Sequence, residues 1–189
     1  VVNIRNYSDN KHKTVDDTPY GGGSGMLLRA DVIANSLDKN ISNTNEKIIY
    51  LSPKGKKFDQ KCAKKFMGKN INIICGHFEG VDQRLLETRN IEEVSIGDFI
   101  LSGGEVGALL VIDTIVRLIP GVVGNPNSLT EETFERNLLE YPQYTKPQKW
   151  EKKNVPEVLL SGDHAKIKDW RLGQSEDITR RRRPDLWKK

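Results

Sequence analysis

The fold is decided by residues 94–119, which read VSIGDFILSGGEVGALLVIDTIVRLI. Residues 94–101 form a short apolar run that predicts a β-strand, and residues 105–119 are the most apolar segment of the chain and predict a buried helix. Pro120 and Gly121 follow at once, as is usual beyond the end of a helix. The predicted strand is therefore joined to the predicted helix by a turn that contains glycine.

Two similar apolar runs precede this segment. Lys47–Leu51 reads KIIYL and Ile71–Cys75 reads INIIC, and both are short and rich in isoleucine. Between them, the apolar residues of segment 56–67 recur at helical spacing. Strands that alternate with helices predict an α/β fold with a mainly parallel sheet that helices cover on both faces.

The composition changes after the apolar helix. Residues 121–130 read GVVGNPNSLT, and their glycine, proline, asparagine and serine predict a linker. Segments 131–139 and 164–172 then predict short amphipathic helices. We therefore expect a main domain over 1–122, a flexible linker over 123–137 and a small C-terminal helical domain over 138–189.

Composition also excludes several classes of protein. Of the 189 residues, 36% are apolar and 30% are charged. No apolar run approaches the ~18 residues of a membrane span, and none resembles a signal peptide, so the cytoplasm is the expected location. Cys62 and Cys75 form no Cys-x-x-Cys motif, so neither a zinc site nor a disulfide framework is indicated.

Positive charge is concentrated near the C-terminal end. Residues 1–145 carry 17 Lys and Arg against 19 Asp and Glu, whereas residues 146–189 carry 13 against 7. A positive field on one part of an otherwise balanced chain favours contact with phosphates, and a solvated charged tail is the alternative.

The predicted strands all end in loops that carry serine, proline or glycine. Ligands of an open parallel sheet bind just outside the carboxyl ends of the strands, and glycine lets a ligand approach the backbone closely. A single such loop can be merely a tight turn, but three together favour a binding site. No G-x-x-x-x-G-K-[ST] and no G-x-G-x-x-G follows a strand, so phosphate cradles and dinucleotide sites of the usual kinds are disfavoured. The loops span 51–53, 75–80 and 95–105.

Another glycine-rich element lies near the start of the chain. Residues 14–26 read TVDDTPYGGGSGM and follow no predicted strand. They are either a flexible surface loop or a backbone that yields to a large ligand such as a base, with Tyr20 available for stacking.

The chain resembles the bacterial tRNA (guanine-N1)-methyltransferase family of the SPOUT class along essentially its whole length. The resemblance rests on six strings that occur in the family's order and spacing. They are TVDDTPYGGGSGM (14–26), IYLSPKGKKFDQ (49–60), CGHFEGVDQR (75–84), SIGDFILSGGE (95–105), IPGVVGN (119–125) and VLLSGDHAKIKDWR (158–171).

The resemblance implies a fold and an activity. The expected fold is a SPOUT-type parallel sheet with a deep trefoil knot, which is a rare exception to the rule that chains do not thread loops. The expected reaction transfers a methyl group from S-adenosylmethionine to N1 of the guanine 3′ of the anticodon (position 37) when another guanine precedes it. The expected partners are tRNA and a second copy of the chain, with the cofactor site near the subunit interface and no membrane involved. A Mg²⁺ requirement is carried over as well.

The resemblance also implies which residues hold the cofactor, mostly through backbone contacts. His77 and Phe78 stand where the family usually has Arg and Tyr, so a fixed charge and a hydroxyl are missing there. The implied set is Tyr50, Leu51, Ser52, Pro53, Gly76, Phe78, Glu79, Gly80, Ser95, Ile96, Gly97, Asp98, Phe99, Ile100, Leu101, Gly103 and Gly104.

Two residues carry the implied chemistry. N1 of guanine holds a proton, so a general base must remove it while a cation stabilises the negative charge that spreads to O6. Arg117 matches the family's arginine. Glu132 stands where the family commonly has the aspartate that acts as base, and Glu131 is the neighbouring alternative.

RNA contacts are expected in both domains. Asp163, within one of the expected contact turns, departs from the family's customary asparagine. The implied contacts are Tyr20, Gly21, Gly22, Ser161, Gly162, His164, Arg180, Arg181, Arg182 and Arg183.

Two alternatives stay open at this point. A different SPOUT enzyme, such as a ribose 2′-O-methyltransferase, would share the loops but not the YGGG element or the second domain. An inactive RNA-binding fragment is the other alternative, because the sequence starts at Val1, after the family's first strand and helix, and stops soon after Pro184.

Overall fold

The computed structural model describes residues 1–43, 45–123, 133–134 and 137–187. It divides into two compact units, residues 1–122 and 123–189. Its first unit opens with a 3-10 helix over Ile4–Tyr7 and then alternates strands with helices. The elements are β1 (Asp16–Asp17), β2 (Leu27–Leu28), α1 (Ala30–Asn40), β3 (Lys47–Lys57), α2 (Gln60–Phe66), β4 (Ile71–Ile74), α3 (Gln83–Thr88), β5 (Ile91–Ser95) and α4 (Gly104–Val116).

A three-stranded parallel sheet forms the centre of this unit. Its strand order is β4-β3-β5, so β3 lies in the middle. Ile48 of β3 pairs with Asn72 of β4 on one side and with Ile91 of β5 on the other. The predicted α/β fold with a parallel sheet is therefore confirmed.

Apolar side chains bury both faces of the sheet, because successive residues of a strand point to opposite faces. Ile49 of β3 is fully buried and lies in a cluster with residues of α2 and α4. On the other face, Ile74 and Ile91 pack against a cluster formed by α1, α3 and β2. The first cluster contains Ile49, Ala63, Phe66, Val94, Val111 and Ile115, and the second contains Val15, Leu28, Val32, Ile33 and Leu85.

The prediction of a strand over 94–101 is wrong in its bounds. β5 covers Ile91–Ser95, and the chain leaves the sheet after Ser95. Phe99 and Ile100 are exposed, so their apolar character does not come from a place in the core. Gly97 has φ of 146°, a conformation that side-chain-bearing residues rarely adopt, and it marks the point where the chain turns away.

Two predicted boundaries also move. β3 extends to Lys57, so the helix predicted from Lys56 begins only at Gln60. The carboxylate of Asp59 caps this helix by accepting the Cys62 N–H at 2.8 Å. α4 ends at Val116 rather than at Ile119, with Arg117 as its C-cap.

The second unit contains a small hairpin and one long helix. The hairpin strands are β6 (Lys149–Trp150) and β7 (Lys153–Asn154), and a 3-10 helix over Glu157–Leu160 follows. The helix α5 covers His164–Arg182, twice the predicted length.

The helix predicted over 131–139 is not found where the structure describes that segment. Residues 131, 132, 135 and 136 lie outside the described residues, and Leu138 and Leu139 are not helical. The Leu139 N–H donates to the buried hydroxyl of Thr179 at 2.8 Å, and this hydroxyl in turn donates to the Ser175 carbonyl. Contact with α5 therefore replaces the helical hydrogen bond at Leu139.

Among the described residues, no helix is both long and apolar enough to cross a membrane.

Candidate functional site

Three loops at the carboxyl end of the parallel sheet surround a cleft of about 240 Å³. This is the edge at which open α/β sheets bind ligands. Of the residues implied for the cofactor, all except Asp98 line the cleft. The lining residues are Tyr50, Leu51, Ser52, Pro53, Gly76, His77, Phe78, Glu79, Gly80, Ser95, Ile96, Gly97, Phe99, Ile100, Leu101, Gly103, Gly104 and Gly107.

The first loop is a bulge within β3. Leu51 and Lys56 both pair with Val94, so the residues between them leave the sheet. The bulge can pack this closely on β5 because residue 55 is glycine. A Cβ there would lie 2.3 Å from the carbonyl carbon of Glu93. The hydroxyl of Ser52 accepts the Lys54 N–H at 3.2 Å and stabilises the turn. This bulge brings Leu51, Ser52 and Pro53 to the cleft.

The second loop follows β4 and is tied to β2. The Gly80 N–H donates to the His77 carbonyl at 3.2 Å, which closes a tight turn, and the Gly80 carbonyl accepts the Leu28 N–H at 2.9 Å. Phe78 inside this turn has a left-handed backbone, with φ of 58°. Gly76 lies against the ring of Tyr50, where a Cβ would come within 2.8 Å of the ring. The backbone of the second loop is therefore held by β2 at Gly80 and by the ring of Tyr50 at Gly76.

The third loop, residues 96–103, connects β5 to α4. The buried hydroxyl of Ser95 contacts both the N–H and the carbonyl of Gly97 at 3.3 Å. At the other end of the loop, the Gly104 N–H donates to the Gly76 carbonyl at 2.8 Å. A Cβ on Gly104 would lie 2.7 Å from the Cα of Cys75. Backbone therefore packs directly on backbone where the second and third loops meet.

A side-chain pair also joins these two loops. His77 Nε2 lies 2.6 Å from Glu105 Oε1, at the start of α4, and the hydrogen bond from His77 holds the pKa of Glu105 below its usual value. His77, which stands where the family usually has Arg, makes this contact at the rim of the cleft.

Gly107 lines the cleft although the sequence motifs did not single it out. It lies in α4, where a Cβ would come within 2.9 Å of Ile96 and of Leu51. A glycine inside an otherwise apolar helix was the available signal, because glycine costs helix stability unless close packing requires it. Asp98 belongs to the third loop but does not line the cleft.

The described residues that line the cleft include an acidic side chain but neither Lys nor Arg. The acidic side chain is the carboxylate of Glu79. Burial raises the pKa of Tyr50, so its hydroxyl stays neutral. The remaining walls are largely apolar or glycine. Such a cleft suits an adenosine-like or cationic ligand and disfavours a phosphate group.

Of the two residues implied for the chemistry, Arg117 does not line this cleft. Arg117 caps the C-terminal end of α4, thirteen positions beyond Gly104. At 1.5 Å per residue the two positions are about 20 Å apart along the helix, which an arginine side chain cannot span. Glu132 and its alternative Glu131 lie outside the described residues.

The residues implied for RNA contact in the first unit lie on an open loop. Tyr20 is almost fully exposed. Gly21 and Gly22 have φ of 87° and 81°, and a Cβ on either would meet no other atom within 4 Å. These glycines serve the backbone turn rather than close packing.

The implied RNA contacts of the second unit lie at the two ends of α5. At the N-terminal end, Gly162 has φ of 71° and the Ser161 hydroxyl accepts the Asp163 N–H at 3.1 Å, while the Asp163 carboxylate caps the helix by accepting the Lys166 N–H at 3.1 Å. His164, the first helical residue, is exposed.

The four arginines at the other end of α5 differ in their surroundings. Arg183 forms two hydrogen bonds with the Asp185 carboxylate, at 2.8 and 2.6 Å. Arg180 lies over the ring of Trp187 and 3.9 Å from Asp177. Arg181 donates to the Asp177 carbonyl, and its guanidinium forms no salt bridge with a described residue. Only part of this positive charge is therefore free of internal partners.

An exposed apolar face runs along α4. Leu109 is 66% exposed, and the neighbouring side chains on the same side are also open. A monomer rarely leaves so many large apolar side chains of one helix uncovered, so this face indicates an interface. The face consists of Val106, Leu109, Leu110, Ile112 and Val116.

We expect Gly104→Ala to weaken binding of S-adenosylmethionine, the cofactor that the resemblance implies for this cleft. The added methyl would overlap the Cys75 backbone, and overpacking costs about 1–3 kcal/mol, or roughly 5- to 150-fold in affinity. Titration calorimetry measures the change. Gly173→Ala in α5 is the matched control, because a Cβ there meets nothing within 4 Å. Equal affinity in Gly104→Ala and the unaltered protein would show that the loop contact does not shape the site.

Comparison with known proteins gives one consistent family. Residues 1–189 match the family described as tRNA (Guanine-1)-methyltransferase TrmD. A tRNA (guanine-N(1)-)-methyltransferase of Pelagibacter ubique is 69% identical over 190 residues, which cover 100% of this chain and 83% of the relative. Proteins of the same name from Wolbachia pipientis wMel and Brucella canis are 52% and 50% identical, over 98% and 99% of this chain and 80% and 76% of their own. This chain therefore belongs to the tRNA (guanine-N1)-methyltransferase family.

Proposed function

We propose that this protein is an enzyme that transfers a methyl group from S-adenosylmethionine to N1 of the guanine 3′ of the anticodon, at position 37, in tRNAs with a preceding guanine. The observation that carries the proposal is the cleft at the sheet edge, whose described lining is largely apolar or glycine and includes no Lys or Arg, in a chain that matches this family over residues 1–189. A ribose 2′-O-methyltransferase or an inactive fragment is not favoured, because the relatives that cover the whole chain carry the guanine-N(1) name.

The cleft fits S-adenosylmethionine. At Gly76, Gly104 and Gly107, neighbouring atoms lie where a Cβ would be, so no larger residue fits at these positions. The loops can therefore present backbone N–H and carbonyl groups at close range to an adenine. When bound, this cofactor supplies a methyl group activated by a cationic sulfonium. Glu79 would contribute a negative charge to the cleft that holds such a cation, and the apolar lining residues would contact the uncharged parts of the ligand.

The guanine must lose its N1 proton before N1 can act as a nucleophile. We assign this step to the carboxylate of Glu132, and we assign stabilisation of the charge on O6 to the guanidinium of Arg117. Glu132 reaches one methylene further than the family's aspartate, so the backbone around it has to compensate. A carboxylate that is withdrawn from water when RNA covers it becomes a stronger base.

The reaction requires two subunits in this proposal. Within one chain, Arg117 lies ten positions beyond Gly107, the last cleft residue of α4, or about 15 Å along the helix, which is more than an arginine side chain can span. The exposed apolar face of α4 supports a homodimer that covers it. A second copy packed on this face can bring its own Arg117 to the cleft of the first.

The second unit, which we regard as the tRNA-binding domain, contacts the substrate. Arg181 and Arg182 are exposed and form no salt bridge with a described residue, so they are the best placed of the four arginines to meet phosphates. The exposed ring of Tyr20 on the first unit is suited to stacking on a base.

Three further features stay predictions. The trefoil knot of the SPOUT class is an expectation from membership of the family. The cytoplasmic location and the Mg²⁺ requirement rest on the sequence and on the resemblance alone.

Methylation of two tRNA transcripts tests the function. We expect 1-methylguanine at position 37 of a transcript with guanine as the preceding nucleotide, and little or none when that guanine is replaced by adenine. Position-resolved nucleoside analysis after incubation with S-adenosylmethionine measures both. A 2′-O-methylated ribose, or equal methylation of both transcripts, would contradict the proposal.

Glu132→Gln should abolish turnover but leave cofactor affinity unchanged, because the amide keeps the shape of the side chain and cannot accept the proton. Single-turnover kinetics with saturating tRNA measures the loss, and calorimetry gives the affinity. Glu131→Gln is the matched control with the same change one position away. If Glu132→Gln reacts at a near-normal rate and Glu131→Gln does not, the base is Glu131.

Mixed dimers test whether Arg117 acts across the interface. Arg117→Ala alone should be inactive, and Gly104→Ala alone should have little activity when the S-adenosylmethionine concentration is kept well below its weakened Kd. In a mixed dimer, one cleft is intact and faces an intact Arg117, so co-expression should restore about a quarter of the wild-type activity if subunits pair at random. Two different affinity tags confirm that mixed dimers have formed. Mixed dimers without activity would place Arg117 and its cleft in the same chain.

A further inference from the structure

The hairpin of the second unit exposes a tryptophan. We name residues 149–154, which read KWEKKN, the basic hairpin. All six residues are exposed, and Trp150 keeps 66% of its surface open. Tryptophan is normally largely buried, because its indole is one of the largest apolar groups in proteins. An exposed indole beside the turn of a hairpin therefore indicates a binding partner.

The pairing of the two strands fixes what lies beside this indole. Trp150 is directly opposite Lys153, and Lys149 is opposite Asn154. Directly opposed residues share a face of the hairpin, with their Cβ atoms about 4.5–5.5 Å apart. A further hydrogen bond, from the Val155 N–H to the Gln148 carbonyl at 3.0 Å, closes the hairpin at its base. The hairpin thus presents an aromatic plane and an ammonium group on the same face.

The lysines of the hairpin are not neutralised inside the protein. Lys149, Lys152 and Lys153 form no salt bridge with a described residue, and Glu151 is the single acidic residue among the six. Elsewhere in the same unit, basic side chains do have such partners: Lys166 lies 3.1 Å from Asp163, and Arg183 is bonded to Asp185. The hairpin lysines are therefore available to an external anion.

We propose that the basic hairpin is an additional RNA-binding site, in which Trp150 stacks on an unpaired base and the lysines contact adjacent phosphates. An unpaired nucleotide offers both an open π-face and a phosphate, whereas bases within a duplex are covered by their neighbours. An acidic protein segment would engage the lysines but leave the indole without a matching surface. The inference rests on the proposed function, and it adds a contact outside the residues that the family resemblance implies.

Two variants separate the parts of this contact. Trp150→Ala should raise the Kd for tRNA about tenfold without changing its dependence on salt, because stacking releases no counterions. Trp150→Phe, which keeps an aromatic ring, should recover most of the affinity. Lys152→Ala combined with Lys153→Ala should lower the magnitude of the slope of log K against log salt by roughly 1.4, since each phosphate contact to a single strand contributes about 0.7.

Fluorescence anisotropy of labelled tRNA measures the affinities at several salt concentrations. Lys11→Ala combined with Lys39→Ala is the matched control, because it removes the same charge from exposed positions of the first unit. Uptake of S-adenosylmethionine by all variants should equal that of the unaltered protein, because the cleft lies in the first unit, and circular dichroism with thermal unfolding checks that the second unit of each variant is folded.

The outcomes distinguish this inference from the proposed function. If the unaltered protein methylates position 37 and the hairpin variants bind tRNA as tightly as it does, the hairpin inference is wrong and the function stands. If Trp150→Ala instead changes the oligomeric state in sedimentation, or the hairpin variants lose binding to anionic vesicles but not to tRNA, the occupant is protein or lipid. If the unaltered protein methylates no tRNA, the proposed function itself fails.

Discussion

The site depends on one backbone contact, the hydrogen bond from the Gly104 N–H to the Gly76 carbonyl at 2.8 Å. It brings the start of α4 against the end of β4 so closely that a Cβ on Gly104 would overlap the Cα of Cys75. Because these two points lie almost thirty residues apart in sequence, the contact closes the third loop over the second. The cleft exists because neither partner carries a side chain between the two backbones.

The rest of the first unit holds these loops in place. β3 lies between β4 and β5, and its buried Ile49 anchors it to helices on one face while the other face packs on α1 and α3. Parallel strands end at the same edge of a sheet, so the three-stranded core places all three loops at that edge. The bulge between Leu51 and Lys56 then moves the first loop out of the sheet towards the other two.

Much of this arrangement could be predicted from the sequence. Short isoleucine-rich runs identified the strands, and the glycines that follow them identified the edge. The extent of β5 could not be predicted, because Phe99, Ile100 and Leu101 look like strand residues although they lie outside the sheet and line the cleft. Hydrophobic patterning indicates that a side chain is shielded from water. It does not indicate whether the protein core, a ligand or a second subunit shields that side chain.

The same ambiguity applies to α4. Its two sides are both apolar, which indicated a fully buried helix, yet Val111 is buried in the core and Leu109 is open. In the homodimer that we propose, a second copy would cover this side of α4, beside the cleft and Arg117. Dimerisation, cofactor uptake and placement of the arginine would then be coupled through one helix. Such coupling would account for a helix that is apolar on both sides apart from the exposed carboxylates of Glu105 and Asp113, whereas α5 is largely polar.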